Sequence, residues 1–159
     1  MNWKSTLLAI CGASFILATA GSRTIYAAPP SDACSLLTSA QITSVLGVPV
    51  GTGQGFMGKI CKWSPSVPEK NSEHPKKAMV TILDAKNWSI TIMQVGNGIV
   101  KTHVSGLGDD AIYGTTPGLP TVLDVKKGNV AFQVVVFGFS SADNQAKEKV
   151  LAQNVLAKL

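Results

Sequence analysis

Apolar and polar residues alternate along much of the second half of the chain, which is the pattern of strands that bury one face. The clearest case is a hairpin, in which segments 121–126 and 130–139 flank a turn at 127–129. Segment 130–137 is almost wholly apolar, so we expect a central strand that is covered largely on both sides. Shorter segments of the same kind predict further strands at 59–63, 78–83, 100–104 and 111–113.

Helices are predicted at both ends of this strand-rich region. Thr38 is an N-cap, Gln41 completes a capping box three residues later, and Gly47 supplies a natural stop. The last helix begins at Ser140 or Ser141 and carries one apolar stripe, which is typical of a helix that docks on a sheet.

Residues 85–95 fit two structures. Asp84 is a suitable helix cap and the glycines at 96–98 are a suitable stop, whereas residues 89–92 alternate and include β-branched side chains, which favours a strand. We predict a helix here. The whole pattern then predicts an α+β domain, an antiparallel sheet with helices packed on one face.

Residues 1–27 have the features of a secretory signal peptide. Lys4 precedes an uncharged apolar run at 7–20, and small residues lead to a cleavage position after Ala27, although cleavage after Ala20 also fits. The apolar run is too short for a transmembrane helix, so we expect no membrane span after cleavage. The sequence therefore predicts one mature domain, residues 28–159, that is secreted or periplasmic.

Removal of the leader leaves two of the three cysteines, Cys34 and Cys61. A cysteine pair in a small exported domain is typical of a disulfide, and this one would tie the N-terminal helix to the first strand. Closing a loop of this length stabilises a domain by about 3–4 kcal/mol. The alternative is a reactive or metal-binding thiol pair, but the spacing is far from C-x-x-C and neither cysteine has a histidine nearby in the sequence.

Lysines supply all the positive charge of the predicted mature chain. Lys4 and Arg23 belong to the leader, so 12 of the 14 basic residues remain against 9 acidic residues, a net charge of +3. A chain without arginine lacks the bidentate guanidinium fork that favours phosphate and base recognition. We therefore expect no nucleic-acid partner.

The glycine-rich segment 53–58 matches G-x-G-x-x-G. A dinucleotide-binding loop follows a strand and opens a helix, whereas here a helix precedes the glycines and a strand follows them. We interpret the segment as a flexible connection, and we expect no cofactor.

Few residues suited to catalysis are present. The mature chain has two histidines, His74 and His103, and neither a serine-hydrolase elbow nor a zinc-protease motif. His103 could act as a base oriented by Asp109 or Asp110 in a small hydrolase, although nothing selects a nucleophilic serine. The two aspartates alone offer too few oxygens at regular spacing for a metal site.

Three short motifs give the chain a resemblance. They are Cys-Ser-Leu-Leu-Thr at 34–38, Cys-Lys-Trp at 61–63 and Gly-Leu-Gly-Asp-Asp-Ala at 106–111. With them the mature chain resembles small exported bacterial proteins of uncharacterised families, several of which are lipoproteins or envelope sensor-like domains. This chain differs from the lipoproteins in lacking a lipid-attachment box. The resemblance implies an envelope setting and an α+β fold, and it implies no activity.

We therefore expect a non-catalytic binding module that recognises a protein or an envelope component, as an inhibitor or a sensor does. The predicted recognition surface includes Trp63, Asp109, Asp110 and Tyr113. Two alternatives stay open. One is a small secreted hydrolase that uses His103 with Asp109 or Asp110, and the other is a structural envelope protein without a discrete ligand.

Overall fold

The computed structural model of the chain describes residues 28–68, 73–93 and 98–159. The predicted signal peptide, residues 1–27, lies outside these ranges, as does most of the glycine stop predicted at 96–98. Within the ranges that are described, none of the helices has both the length and the apolar character that a membrane crossing requires.

Among the residues that the structure describes, seven antiparallel strands form one sheet. Their bounds are β1 Gln54–Phe56, β2 Ile60–Trp63, β3 Lys77–Leu83, β4 Val100–His103, β5 Asp110–Thr115, β6 Val122–Lys127 and β7 Val130–Phe137. Across the sheet the order is β1-β2-β3-β7-β6-β5-β4. The predicted hairpin is the pair β6–β7, and the predicted central position of its long apolar strand is confirmed because β7 pairs with β3 on one side and β6 on the other.

In the described part of the chain, three α-helices accompany the sheet: α1 Ser39–Leu46, α2 Trp88–Met93 and α3 Ser141–Leu156. The capping box of Thr38 and Gln41 is present in α1, and Gly47 ends that helix in the left-handed conformation. The oxygen of Ser140 accepts a hydrogen bond from the backbone N–H of Asp143 and so caps α3. The helix predicted at 85–95 is confirmed as far as Met93, as a 3-10 turn, Ala85–Asn87, followed by α2.

The predicted α+β class is confirmed, and the two longer helices pack on the same face of the sheet. Alternate side chains of the central strands point at α1 and α3 and form the core together with apolar residues of both helices. Ten of the fully or almost fully buried residues are Ile42, Leu46, Trp63, Val80, Leu123, Val125, Phe132, Val134, Leu151 and Val155. Burial of this one face supplies the main hydrophobic stabilisation of the domain. We call it the covered face.

The short helix α2 lies over the other face, near β5 and β4. The indole Nε1 of Trp88 donates a hydrogen bond of 2.9 Å to Asp110 Oδ2, and Asp110 faces away from the core because its neighbour Ala111 faces into it. The remainder of this second face carries no helix among the described residues. We call it the open face.

The predicted disulfide between Cys34 and Cys61 is confirmed, with the two Cα atoms 5.0 Å apart. Cys34 lies in a 3-10 helix, Ala33–Ser35, directly before α1, and Cys61 lies in β2. Cys61 is fully buried. The bond therefore ties the 3-10 helix that precedes α1 to the covered face.

The glycine-rich segment is not the flexible connection that we expected. It forms the edge strand β1, which pairs with β2 through a turn at Met57 and Gly58. Directly before this strand the backbone is too close to its neighbours for a side chain, since a Cβ atom at Gly53 would lie 2.6 Å from Cys61 Sγ and 2.8 Å from the indole of Trp63. Glycine at this position lets the backbone lie against the disulfide and the tryptophan.

Candidate functional site

The open face carries two adjoining grooves. Groove A has a volume of about 780 Å³ and lies over β2, β3 and the end of β7, whereas groove B has about 620 Å³ and lies over β4, β5 and β6 beside α2. Leu119 and Pro120, in the connection between β5 and β6, line both. Small-ligand sites in proteins have volumes of about 300–1,000 Å³, so each groove is large enough to hold a ligand.

Groove A combines an apolar floor with positive charge. Met79 and Phe137 contribute apolar surface, and Lys62 and Lys77 line the same groove. The two lysines lie on adjacent strands and on one face, since Lys62 is the register partner of Met79. Among the described residues neither of these lysines has a salt-bridge partner. Glu73 lines the same groove, so the two lysines leave it a small net positive charge. Groove A is therefore suited to a partner that presents negative charge beside apolar groups.

The end of groove A includes a buried amide oxygen that has no hydrogen-bond partner among the described residues. Asn144, in the first turns of α3, is 5 % exposed and lines the groove. Its Oδ1 is buried and accepts no hydrogen bond from the described protein. Buried polar atoms without partners are rare in native structures, so this amide is an unusual feature of the groove wall.

Groove B contains the polar centre of the open face. Asp124 of β6 and Gln133 of β7 are register partners, and Gln133 Nε2 donates a hydrogen bond of 2.9 Å to Asp124 Oδ1. Burial raises the pKa of the Asp124 carboxyl, while the hydrogen bond from Gln133 and the charge of Lys101 lower it. The carboxylate is thus held in a partly desolvated position with one hydrogen bond from the protein.

Lys101 connects groove B to helix α2. Its Nζ donates hydrogen bonds of 2.7 Å to the carbonyl of Thr91 and 2.8 Å to the carbonyl of Ile92, at the C-terminal end of the helix. The lysine lies on β4 opposite Gly114 of β5. Because Gly114 has no side chain, the floor of groove B at this point is backbone.

Two of the predicted binding residues lie in the core. Trp63 is 1 % exposed and Tyr113 is 9 % exposed, and both belong to the covered face. The hydroxyl of Tyr113 donates a hydrogen bond of 2.5 Å to the carbonyl of Gln145 in α3. Burial and the nearby charge of Glu148 raise the pKa of Tyr113 to about 12. Neither side chain is available to a partner in this structure, and their part in recognition stays a prediction.

The two predicted aspartates have separate surroundings. Asp109 is exposed, and its Oδ2 accepts a hydrogen bond of 2.6 Å from the backbone N–H of Gly128 in the β6–β7 turn. Asp110 accepts from Trp88 through Oδ2 and lies 3.4 Å from His103 Nδ1 through Oδ1. The structure therefore brings His103 together with Asp110 and not with Asp109. The four predicted binding residues do not form one continuous surface.

A buried carboxyl on the covered face has no counterpart in the sequence-based predictions. Glu148 of α3 is fully buried, and its oxygens accept hydrogen bonds of 2.9–3.0 Å from the Thr121 hydroxyl and of 3.0 Å from the backbone N–H of Val136. Burial raises the pKa of Glu148 to about 7, against the lowering effect of those two hydrogen bonds. This carboxyl joins α3 to the sheet where β6 begins.

One feature of the sequence pointed to groove B, namely polar residues within apolar strands. Gln133 is the single polar side chain in the apolar segment 130–137, and Asp124 interrupts the alternation of Leu123 and Val125 with a charge. A polar residue at the centre of an apolar strand is a candidate for a site on the less covered face. The strand order that brings Lys101 into the same groove as these two residues was not visible in the sequence.

No metal site is evident within residues 28–68, 73–93 and 98–159, since no three histidine, cysteine or acidic side chains are grouped there. Comparison with known protein families finds no matching family, and no curated protein matches the chain.

Proposed function

We propose that the protein is a non-catalytic binding module that acts outside the cytoplasm, and that the open face is its recognition surface. The observation that carries this proposal is the pair of adjoining grooves A and B, whose charged groups are only partly used by the protein itself. The confirmed disulfide is compatible with an oxidising compartment. The resemblance to exported bacterial proteins favours a protein or an envelope component as the partner.

The open face has the properties expected of a recognition surface. Its grooves contain apolar floors with a small number of polar groups, which is the usual composition of ligand sites. The covered face, by contrast, is occupied by α1 and α3. A partner could therefore dock on the open face without disturbing the core.

Affinity capture tests the proposal. The tagged mature protein is incubated with envelope and culture extract of the source organism, crosslinked, and its partners are identified by mass spectrometry. The double variant Lys62→Glu/Lys77→Glu reverses the charge of groove A and is expected to lose the partner. The matched control is Lys127→Glu/Lys149→Glu, which makes the same charge change at two exposed lysines outside both grooves.

Each outcome of the capture experiment leads to a different conclusion. A partner that is captured by the wild type and the control, and not by the groove A variant, supports the proposal. A partner captured equally by all three proteins places recognition away from groove A, and the absence of any partner above background contradicts a protein-binding module.

A hydrolase is the second candidate, because the structure does bring His103 and Asp110 to 3.4 Å. The contact has the composition of a base and its orienting acid. However, His103 is 77 % exposed, and none of the hydrogen bonds among the described residues joins its ring to a serine or threonine hydroxyl. A panel of esters, peptides and glycans tests this candidate. Activity in the wild type that is lost in His103→Ala would favour it, and inactivity of the wild type would count against it.

A further inference from the structure

Two opposite charges line groove B. Asp124 of β6 and Lys101 of β4 lie on either side of β5 and face the same groove. They do not form a salt bridge, although the lysine charge acts on the carboxyl. In this groove the attraction of an anionic ligand to Lys101 would be offset by repulsion from Asp124, and the attraction of a cationic ligand to Asp124 would be offset by repulsion from Lys101. The pair of charges thus favours a ligand without net charge.

The polar groups of groove B also have unused hydrogen-bonding capacity. Among the described residues, Asp124 Oδ2 and Gln133 Oε1 accept no hydrogen bond, and Lys101 Nζ has used two of its three donors on α2. A ligand that both donates and accepts would satisfy all three groups. Hydroxyl groups do both, whereas amines and carboxylates at neutral pH do only one.

At Gly114 the floor of groove B, between Lys101 and Asp124, consists of backbone. Gly114 lies beside Lys101 and diagonally opposite Asp124, and it places no side chain between them. Leu119, Pro120 and Val122 supply apolar walls against which the C–H groups of a ligand could pack. From these features we infer that groove B binds a neutral saccharide, with ligand hydroxyls donating to Asp124 and Gln133 and accepting from Lys101.

This inference rests on the proposed function, since it names the ligand class for one part of the same recognition surface. It is tested by isothermal titration of the mature protein with three neutral disaccharides, cellobiose, maltose and N,N′-diacetylchitobiose. Galacturonic acid, glucosamine and glycine serve as anionic, cationic and zwitterionic probes. At least one neutral disaccharide is expected to bind more tightly than every charged probe.

Two variants locate the binding. Asp124→Ala removes a charged acceptor, so the affinity is expected to fall roughly ten- to a hundredfold. Gly114→Val adds a side chain to the groove floor, and the first added carbon would lie 3.9 Å from Ile99, an ordinary contact. This variant should fold, because a β-branched residue suits a strand, and it should abolish binding. Gly51→Val is the matched control, since a Cβ at Gly51 meets nothing within 4 Å and Gly51 lies outside both grooves.

Three results would overturn the inference: no binding of any neutral disaccharide by the folded wild type, tighter binding of a charged or zwitterionic probe, or disaccharide binding that Gly114→Val leaves intact. The result is independent of the capture experiment, in which the variants lie in groove A. If a partner is captured but no saccharide binds, the saccharide inference is wrong and the proposal of a binding module stands. Saccharide binding without a captured protein would keep the inference and restrict the partner to the envelope glycan class.

Discussion

Neighbouring residues of β6 and β7 face two different environments. Leu123 and Phe132 point at the helices and are fully buried, whereas Asp124 and Gln133, each one residue away, point at groove B and form a polar pair there. The backbone ladder is shared, so the difference comes only from the alternation of side chains. One sheet can therefore be stabilised by one face and leave the other face available for recognition.

This comparison separates stability from binding. Changes on the covered face remove buried apolar surface, and they should lower the free energy of unfolding with little direct effect on a ligand in the grooves. Changes on the open face should alter binding and have smaller effects on folding. Three comparisons test this division.

The largest effect is expected for Phe132→Ala. Phe132 is fully buried in the core, and truncating a buried phenylalanine costs about 3–5 kcal/mol in transfer energy and cavity formation. Gln133→Ala, the adjacent residue on the open face, should cost less, about 1.5–3 kcal/mol, because it removes one hydrogen bond to a carboxylate. Urea unfolding monitored by circular dichroism measures both. Equal losses for the two variants would contradict the division of roles.

Glu148 gives the second test, through pH. Its pKa in the folded protein is raised to about 7 from an ordinary value of 4.5. Between these two pH values the folded protein binds more protons at this site than the unfolded chain does, so the stability contribution is present below pH 4.5 and is lost as the pH rises through 7. Ionised Glu148 on the covered face is therefore destabilising.

The variant Glu148→Gln isolates this effect. Glutamine has nearly the same shape, can accept from the Val136 N–H and can donate to the Thr121 hydroxyl. From pH 5 to pH 8 the wild type should lose about 2–3 kcal/mol of unfolding free energy relative to the variant. The measurement is urea unfolding of both proteins at the two pH values. A difference that does not change with pH would show that Glu148 does not titrate in this range.

Much of the fold could be predicted because local signals agreed with one another. The capping box at Thr38 and Gln41, the β6–β7 hairpin and the cysteine pair each have a local chemical signature. The edge strand β1 was missed, since its glycines have no strand propensity of their own. Glycine is required at position 53, directly before β1, because a Cβ atom there would clash with Cys61 and Trp63. This contact forms only in the folded structure, so the local pattern of apolar and polar residues gives no sign of it.

The candidate site was harder to predict because it depends on register. Trp63 and Tyr113 have the aromatic character of recognition residues, but their alternation places them beneath α1 and α3. Grooves A and B instead combine residues from strands that are far apart in sequence, such as Met79 of β3 and Phe137 of β7 in groove A. Only the strand order β3-β7-β6-β5-β4 brings them to one face.

The smallest effect is expected where the open face carries its own helix. Trp88→Phe removes the hydrogen bond from the indole to Asp110 Oδ2 while keeping an aromatic ring at a site that is 7 % exposed. A hydrogen bond to a charged acceptor contributes about 1.5–3 kcal/mol, and Asp110 Oδ1 keeps its contact with His103 Nδ1 at 3.4 Å, so the loss should lie near the lower value.

Hydrogen exchange measures which elements lose stability in the Trp88→Phe variant. Amide protection should fall in α2 and β4 and should stay unchanged in α3 and β7, because the core does not include Trp88. Asp110→Asn is the control, since its amide oxygen can still accept from the indole, and it should cost less than Trp88→Phe. If Trp88→Phe destabilised the domain as much as Phe132→Ala, the wall of groove B would be part of the folding core, and the two faces would share the stability that we assign to one.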